Sequence, residues 1–121
     1  MENLKIAPTE AELAGKAIKP RVTVCDVEDA ILGEYYMNPS DLFTDEGDSR
    51  IRTGLSCLTI CVLVLKNGFT VTGESACADP DNFDFEIGAR IARKNAIDKI
   101  WPLLGFQLKT KLHDEWDGEK V

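Results

Sequence analysis

Lys66 to Pro102, KNGFTVTGESACADPDNFDFEIGARIARKNAIDKIWP, contains a turn dipeptide, an alternating segment, a polar loop and a run of helical period. Asn67-Gly68 is the pair that most readily takes the positive φ angles of a two-residue type I′ turn. The run before it, Leu58–Leu65 (LTICVLVL), is short, apolar and rich in β-branched side chains. Behind the turn, Phe69, Val71 and Gly73 alternate with Thr70, Thr72 and Glu74. This pattern predicts a hairpin over about 57–65 and 69–77. Counting outward from the turn pairs Leu65 with Thr70, Cys61 with Glu74 and Leu58 with Cys77. An isolated hairpin is marginal in water, so helices, further strands or a second copy of the chain must pack on it.

Past the hairpin, Asp81 or Asn82 can cap a helix whose first turn carries Asp84 and Glu86, as the positive end of a helix prefers. At about 100° per residue, Phe85, Ala89, Ala92, Ala96 and Ile100 share one stripe, and Asn95 falls at its margin. Pro102 predicts a kink or stop near Trp101, with Gly105 opening a short second helix over Phe106–His113. Upstream, Thr9-Glu-Ala-Glu12 is a capping box for a short helix ending before Pro20. A second box at Thr23–Asp26, followed by Val27, Ala30, Ile31 and Tyr35 at helical spacing, predicts a helix over about Val24–Tyr36. Residues 38–54, with Asp41, Asp45, Glu46 and Asp48, have no period and are expected to form an acidic surface loop. Residues 114–121 are expected to be an acidic, flexible tail. The whole chain, 1–121, is expected to be a single α+β domain: a small antiparallel sheet built on the hairpin, N-terminal helices, and a long C-terminal helix followed by a short one.

Composition narrows the function classes. At 44% hydrophobic and 29% charged residues, the chain has the make-up of an ordinary globular domain. Its net charge of −7, from 14 basic and 21 acidic residues, repels a phosphate backbone, so long DNA or RNA is not expected as a partner. The longest apolar run, Leu58–Leu65, is far too short to cross a bilayer, and Met1–Pro20 lacks the apolar centre of a secretory signal. No membrane association is expected, and the chain should stay in the cytosol where it is made. Cys25, Cys57, Cys61 and Cys77 lack paired C-x-x-C spacing, so neither a metal nor another cofactor is expected. They read as small buried or half-buried hydrophobes in a reducing compartment, with Cys57 and Cys77 as near neighbours. One histidine and no ordered nucleophile–base motif argue against an enzyme and leave no catalytic residue to nominate.

Each candidate binding residue also has a structural explanation. Asn95 either bonds neighbouring backbone or recognises a ligand, and Phe83 either staples the helix entrance to the core or offers a stacking face. Arg90, Arg93 and Lys94 form by default a solvated face paired with Glu86 and Asp98. Lys109 and His113, four residues apart, can either fray in solvent or grip a phosphate together.

The segment CVLVLKNGFTVTGESACADPDNFDFEIGARIARKNAIDKIWPLLGFQL closely resembles the phage protein family named after its gene-49 and gene-66 members. The resemblance spans about Leu58–Leu112 and, more weakly, Arg21–Tyr36 (RVTVCDVEDAILGEYY). That family looks related to the Thoeris anti-defence proteins, phage sponges that hold a cyclic ADP-ribose isomer made by bacterial TIR-domain enzymes without hydrolysing it. The resemblance implies a counter-defence protein of the host bacterial cytoplasm that binds a cyclic nucleotide, with cyclic oligonucleotides as further ligands. It also implies a homo-oligomer, a dimer or a dimer-based hexamer. Such sponges use an aromatic and an asparagine around the corresponding helix and basic residues near the C-terminus, which here implies Phe83, Asn95, Arg90, Lys109 and His113. The C-terminal pair is Lys and His where two arginines are expected, and Arg52, from the same or a neighbouring subunit, is the candidate replacement. The competing reading is a phage accessory protein that binds and inhibits a host protein through its acidic segments.

Overall fold

The computed structural model describes residues 7–16, 19–43 and 47–116. In chain order the elements are α1 (Glu10–Lys16), α2 (Val24–Asp29), β1 (Ile31–Met37), α3 (Ser49–Ser56), β2 (Leu58–Leu65), β3 (Thr70–Ala76) and α4 (Phe85–Glu115), with 3₁₀ turns at Pro39–Asp41 and Pro80–Asn82. The strands form an antiparallel sheet in the order β1-β2-β3, so the expected α+β class holds, with one strand more than the hairpin alone supplies.

That strand corrects the expectation of a helix to Tyr36. The capping box is complete, Thr23 Oγ1 accepting from Asp26 N–H and Asp26 accepting from Thr23 N–H, but the helix stops at Asp29. Ile31–Met37 then pairs along β2, from Ile31 opposite Leu65 to Met37 opposite Ile60, with a bulge at Leu32. A short run containing Gly33 and two tyrosines gains little as a helix and bonds an entire edge of β2 as a strand.

The hairpin lies where expected, but its register is one residue off. Val64 faces Thr70, Cys61 faces Gly73 and Leu58 faces Ala76. Leu65 N–H donates to the Phe69 carbonyl at 2.8 Å, which makes the loop three residues long, Lys66-Asn67-Gly68. Gly68 alone carries positive φ (+90°), and the Asn67 side chain accepts from Phe69 N–H. Three-residue hairpin loops ending in a left-handed residue are the next most common solution after type I′.

Part of the expected acidic loop is regular structure, a 3₁₀ turn at Pro39–Asp41 and α3 from Ser49 onward. Asn38 caps the Pro39–Asp41 turn and donates to the Ser56 carbonyl at 2.8 Å, and Asp48 caps α3. Residues 44–46 and 117–121, which carry part of the expected loop and most of the expected tail, lie outside the described residues.

Expectation and structure also part at Pro102. α4 is one helix of 31 residues with Pro102 inside it, so no separate short helix follows. Proline costs the Asp98 carbonyl its partner, yet Leu103 and Leu104 beyond it pack against the core cluster and hold the helix on course.

The core lies between α4 and the inner face of the sheet: Cys61, Leu63 and Leu65 of β2, Val71 of β3, Val27 of α2, and Ala92, Ala96 and Ile100 of α4. The small residues of α4 allow direct contact with Gly73, where a Cβ would collide with the Ala92 carbonyl and the Ala96 N–H. Phe85, assigned to the buried stripe, is exposed instead, as is Cys25 among the cysteines. Cys57 and Cys77 are neighbours, the Cys77 N–H donating to the Cys57 carbonyl at 3.2 Å. Burial, then the adjacent Cys57 thiol, pushes the Cys77 thiol above its ordinary value. Among the described residues no helix is long and apolar enough to cross a membrane, and no cluster of His, Cys, Asp and Glu could hold a metal ion.

Candidate functional site

The nominated residues do not converge on one place: Arg90, Asn95, Lys109 and His113 are spread along α4, Phe83 lies just before it and Arg52 is on α3. Asn95 is exposed, and its Nδ2 donates to the Glu74 carbonyl at 2.8 Å. Bonded pairs of the β2–β3 ladder run from Leu65/Phe69 to Cys57/Cys77, which turns the carbonyl of Glu74 outward at the sheet edge. Asn95 therefore acts as the backbone-binding amide that was its structural alternative.

Phe83 is half-buried and lines a hollow of about 100 Å³ with Cys57, Thr59, Cys77, Ile87 and Ile91. That volume holds a few waters, not a nucleotide. Thr59 beside it is fully buried, and its Oγ1 has no hydrogen-bond partner.

Arg90 is exposed on α4 and Arg52 is exposed on α3. Lys94 pairs with Asp98 at 3.0 Å as the helical spacing predicts. Arg93 departs from its expected solvated face, bridging Glu28 at 2.9 Å and Glu34 at 2.8 Å. Lys109 and His113 do come together, lining a hollow of about 410 Å³ with Leu112 and Trp116. His113 Nδ1 lies 3.5 Å from Asp114 Oδ1. At ~1.5 Å per residue, the helix separates the Phe83 end from Lys109 by about 36 Å, too far for one small ligand to touch both within a chain.

A different concavity has the dimensions of a ligand site. Where the hairpin loop meets the C-terminal half of α4, Leu65, Ala30, Leu103 and Leu104 floor a hollow of about 400 Å³ rimmed by Phe69, Phe106, Lys66, Asn67 and Gln107. A second hollow of about 400 Å³ adjoins it, sharing Ala30, Leu104 and Gln107 and adding Arg21, Asp26, Asp29 and Lys111. Together they form a groove with an apolar end and a charged end. Phe69 and Phe106 are 55% and 76% exposed, so both rings are available to stack on a planar group. Arg21 is already tied to Glu10 at 2.6 Å, and Asp26 is engaged in capping α2.

The sequence carried a signal for this groove that spacing alone does not reveal. Phe69 follows the loop at the first inward position of its strand but overhangs the end of the sheet, and Phe106 sits on a helix longer than the sheet it covers. At ~1.5 Å per helical residue and ~3.3 Å per strand residue, α4 runs about 46 Å against about 26 Å for β2. The excess projects past the hairpin loop and makes the groove wall.

The chain is a small α+β domain, a three-stranded antiparallel sheet under one long helix with an open groove at the loop end. It belongs to the phage protein (N4 Gp49/phage Sf6 gene 66) family, whose model matches residues 22–112. No curated protein and no solved structure matches the chain.

Proposed function

We propose that this phage protein is a non-catalytic sponge that sequesters a small cyclic nucleotide signal of the host cell, of the cyclic ADP-ribose class, in the groove between the hairpin loop and α4. One observation carries the reading: two exposed phenylalanine rings stand at one end of an apolar groove, with lysines and an arginine along it. Phe69 and Phe106 would take purine faces, worth about 1–3 kcal/mol per base. Lys66 is the cation at the aromatic end, and Arg21 and Lys111 face Asp26 and Asp29 at the other. Those four charges cancel, so a phosphate there is recognised by local pairing rather than by net field.

On this reading the ligand sits against Phe69, Phe106 and Lys66, and the hollow at Lys109, His113 and Trp116 is a second surface apart from it. Inhibition of a host protein is the rival reading, favoured by the exposed Leu42, Phe43 and Ile51 beside the acidic segment.

Calorimetry of the purified protein against cyclic ADP-ribose isomers and cyclic oligonucleotides separates the two. The sponge reading expects saturable binding, recovery of intact nucleotide on heating, and a loss of about 10-fold or more in Phe69→Ala and Phe106→Ala at unchanged melting temperature. A cleaved product, or no binding at about 100 μM ligand, overturns it.

A further inference from the structure

Of the four cysteines, Cys25 is exposed, Cys61 is fully buried in the core, and Cys57 and Cys77 stand side by side where the hairpin ends. The β2–β3 register, which pairs Leu58 with Ala76, sets Cys57 opposite Cys77 one step further on, and the Cys77 N–H donates to the Cys57 carbonyl at 3.2 Å. Hydrogen-bonded antiparallel partners have Cα atoms about 5.5 Å apart, inside the ~4.4–6.8 Å that a disulfide spans. Opposed residues share a face, and both side chains line the hollow of about 100 Å³ beneath the entrance to α4. The two thiols are within hydrogen-bonding reach of each other. Thr59 Oγ1, fully buried and without a hydrogen-bond partner, borders the same hollow as a donor beside the sulfurs.

We propose that Cys57 and Cys77 are a redox-responsive dithiol, a modification site that a small disulfide of the glutathione class converts into a covalent bond between the ends of β2 and β3. The inference is independent of the ligand reading, because the pair lies at the end of the hairpin away from the groove. Exposure divides the roles: Cys77 is half-buried and meets the oxidant, while Cys57 is buried behind it and resolves. The Cys77 thiolate attacks one sulfur of the oxidant, whose S–S bond breaks and releases one glutathione thiolate, leaving a mixed disulfide on Cys77. The Cys57 thiolate then attacks the Cys77 sulfur and displaces the second glutathione. Both cysteine protons pass to the departing thiols, and the two electrons lost by the cysteine sulfurs reduce the oxidant. A thiol held above its ordinary value exchanges slowly, but its reduced form lacks the stabilisation that ionisation gives a low-pKa cysteine, so the equilibrium leans to the disulfide. The bond fastens the end of α3, which Cys57 caps, to the run that leads into α4. It closes a loop of about 20 residues, for which bond and fold should favour each other by roughly 30-fold or more.

Equilibration of the full chain in buffers of graded reduced and oxidised glutathione, followed by acid quenching, alkylation of free thiols and peptide mass mapping, tests the site. The wild type should carry a Cys57–Cys77 link and lose two hydrogens, with an equilibrium constant roughly 30-fold or more above that of the same chain unfolded in urea. Cys57→Ser should stop at glutathionylated Cys77. A folded wild type that keeps both thiols at the most oxidising ratio overturns the proposal. So does a mixed disulfide on Cys77 that accumulates without the link, or a constant no greater than in the unfolded chain; these readings need no variant to fold.

Discussion

At the residue scale, Arg93 does the most to join separate parts of the chain. Its guanidinium reaches Glu28 on α2 and Glu34 on β1, while the Tyr36 hydroxyl donates to Glu34 at 2.9 Å. The hydrogen bond from Arg93 holds the Glu34 carboxyl below its ordinary value. Burial and the bond to Glu34 raise the Tyr36 phenol. Because Arg93 keeps 28% of its side-chain surface exposed, solvent screens these pairs, and Arg93→Met should cost about 1–2 kcal/mol, less than a fully buried pair would. Thermal unfolding should show a fall of roughly 5–10 °C. The sign of the pH effect follows from Glu34: a depressed folded pKa gives stability that is complete above the unfolded value of 4.5 and is lost as pH falls through the folded one. Wild type should therefore lose stability on acidification below about pH 4.5, and Glu34→Gln should flatten that slope. An unchanged acid limb in Glu34→Gln would remove Glu34 from the account. At Asn95, loss of one exposed amide–carbonyl bond should cost about 1 kcal/mol in Asn95→Ala. Nucleotide affinity should be unaltered, because the side chain is committed to Glu74 and lies away from the groove. A calorimetric titration that collapses in this variant would return the site to Asn95.

At the scale of elements, what the sequence showed and what it hid have separate physical origins. The hairpin was legible because strands and loop are local: β-branched residues, an Asn-Gly pair and alternation all lie within 20 residues of one another. Its register was not, since Asn67-Gly68 serves a two-residue or a three-residue loop, and only the bond from Leu65 N–H to Phe69 decides. β1 was hidden because Val27, Ala30, Ile31 and Tyr35 satisfy helical spacing, while the partner that makes them a strand lies far along the chain. α4 shows the reverse case, in which packing overrides a local breaker. Pro102 is exposed and its ring removes the N–H that would serve Asp98, so Pro102→Ala should stabilise the protein by about 1–3 kcal/mol, read as a rise in the urea midpoint. A neutral result would mean that the helix bends in a way the alanine cannot use. The close seat of α4 on β3 makes the opposite prediction for Gly73→Ala. Its methyl group meets backbone, not a movable side chain, so the helix must lift and about 3 kcal/mol or more should be lost, with the core loosened around Ala92 and Ala96.

Across the whole molecule, the exposed large apolar side chains are spread over α1, α2, β1, α3, the hairpin loop and α4 rather than gathered in one patch. Composition showed that the chain is acidic, but not that β2 would bury one row of its side chains and leave the other half-buried, because a continuous apolar run such as LTICVLVL gives no sign of which side is covered. Spacing alone did not reveal the groove, which is formed by the overhang of a helix whose end the sequence placed 14 residues too early, at Trp101 instead of Glu115. Salt is a discriminating probe of the homo-oligomer that the family resemblance implies. Two bodies of charge −7 repel over a Debye length of about 30 Å at 0.01 M salt but only about 10 Å at 0.1 M, whereas contact between aliphatic faces does not weaken with screening. Self-association through apolar surface should therefore tighten severalfold as NaCl rises from about 0.01 to about 0.2 M. An interface built from the acidic segment and the basic residues of α4 would respond in the opposite sense, because its attraction is what the salt screens. Dissociation constants that rise with salt would put the contact on those charged surfaces; constants that fall would put it on apolar side chains.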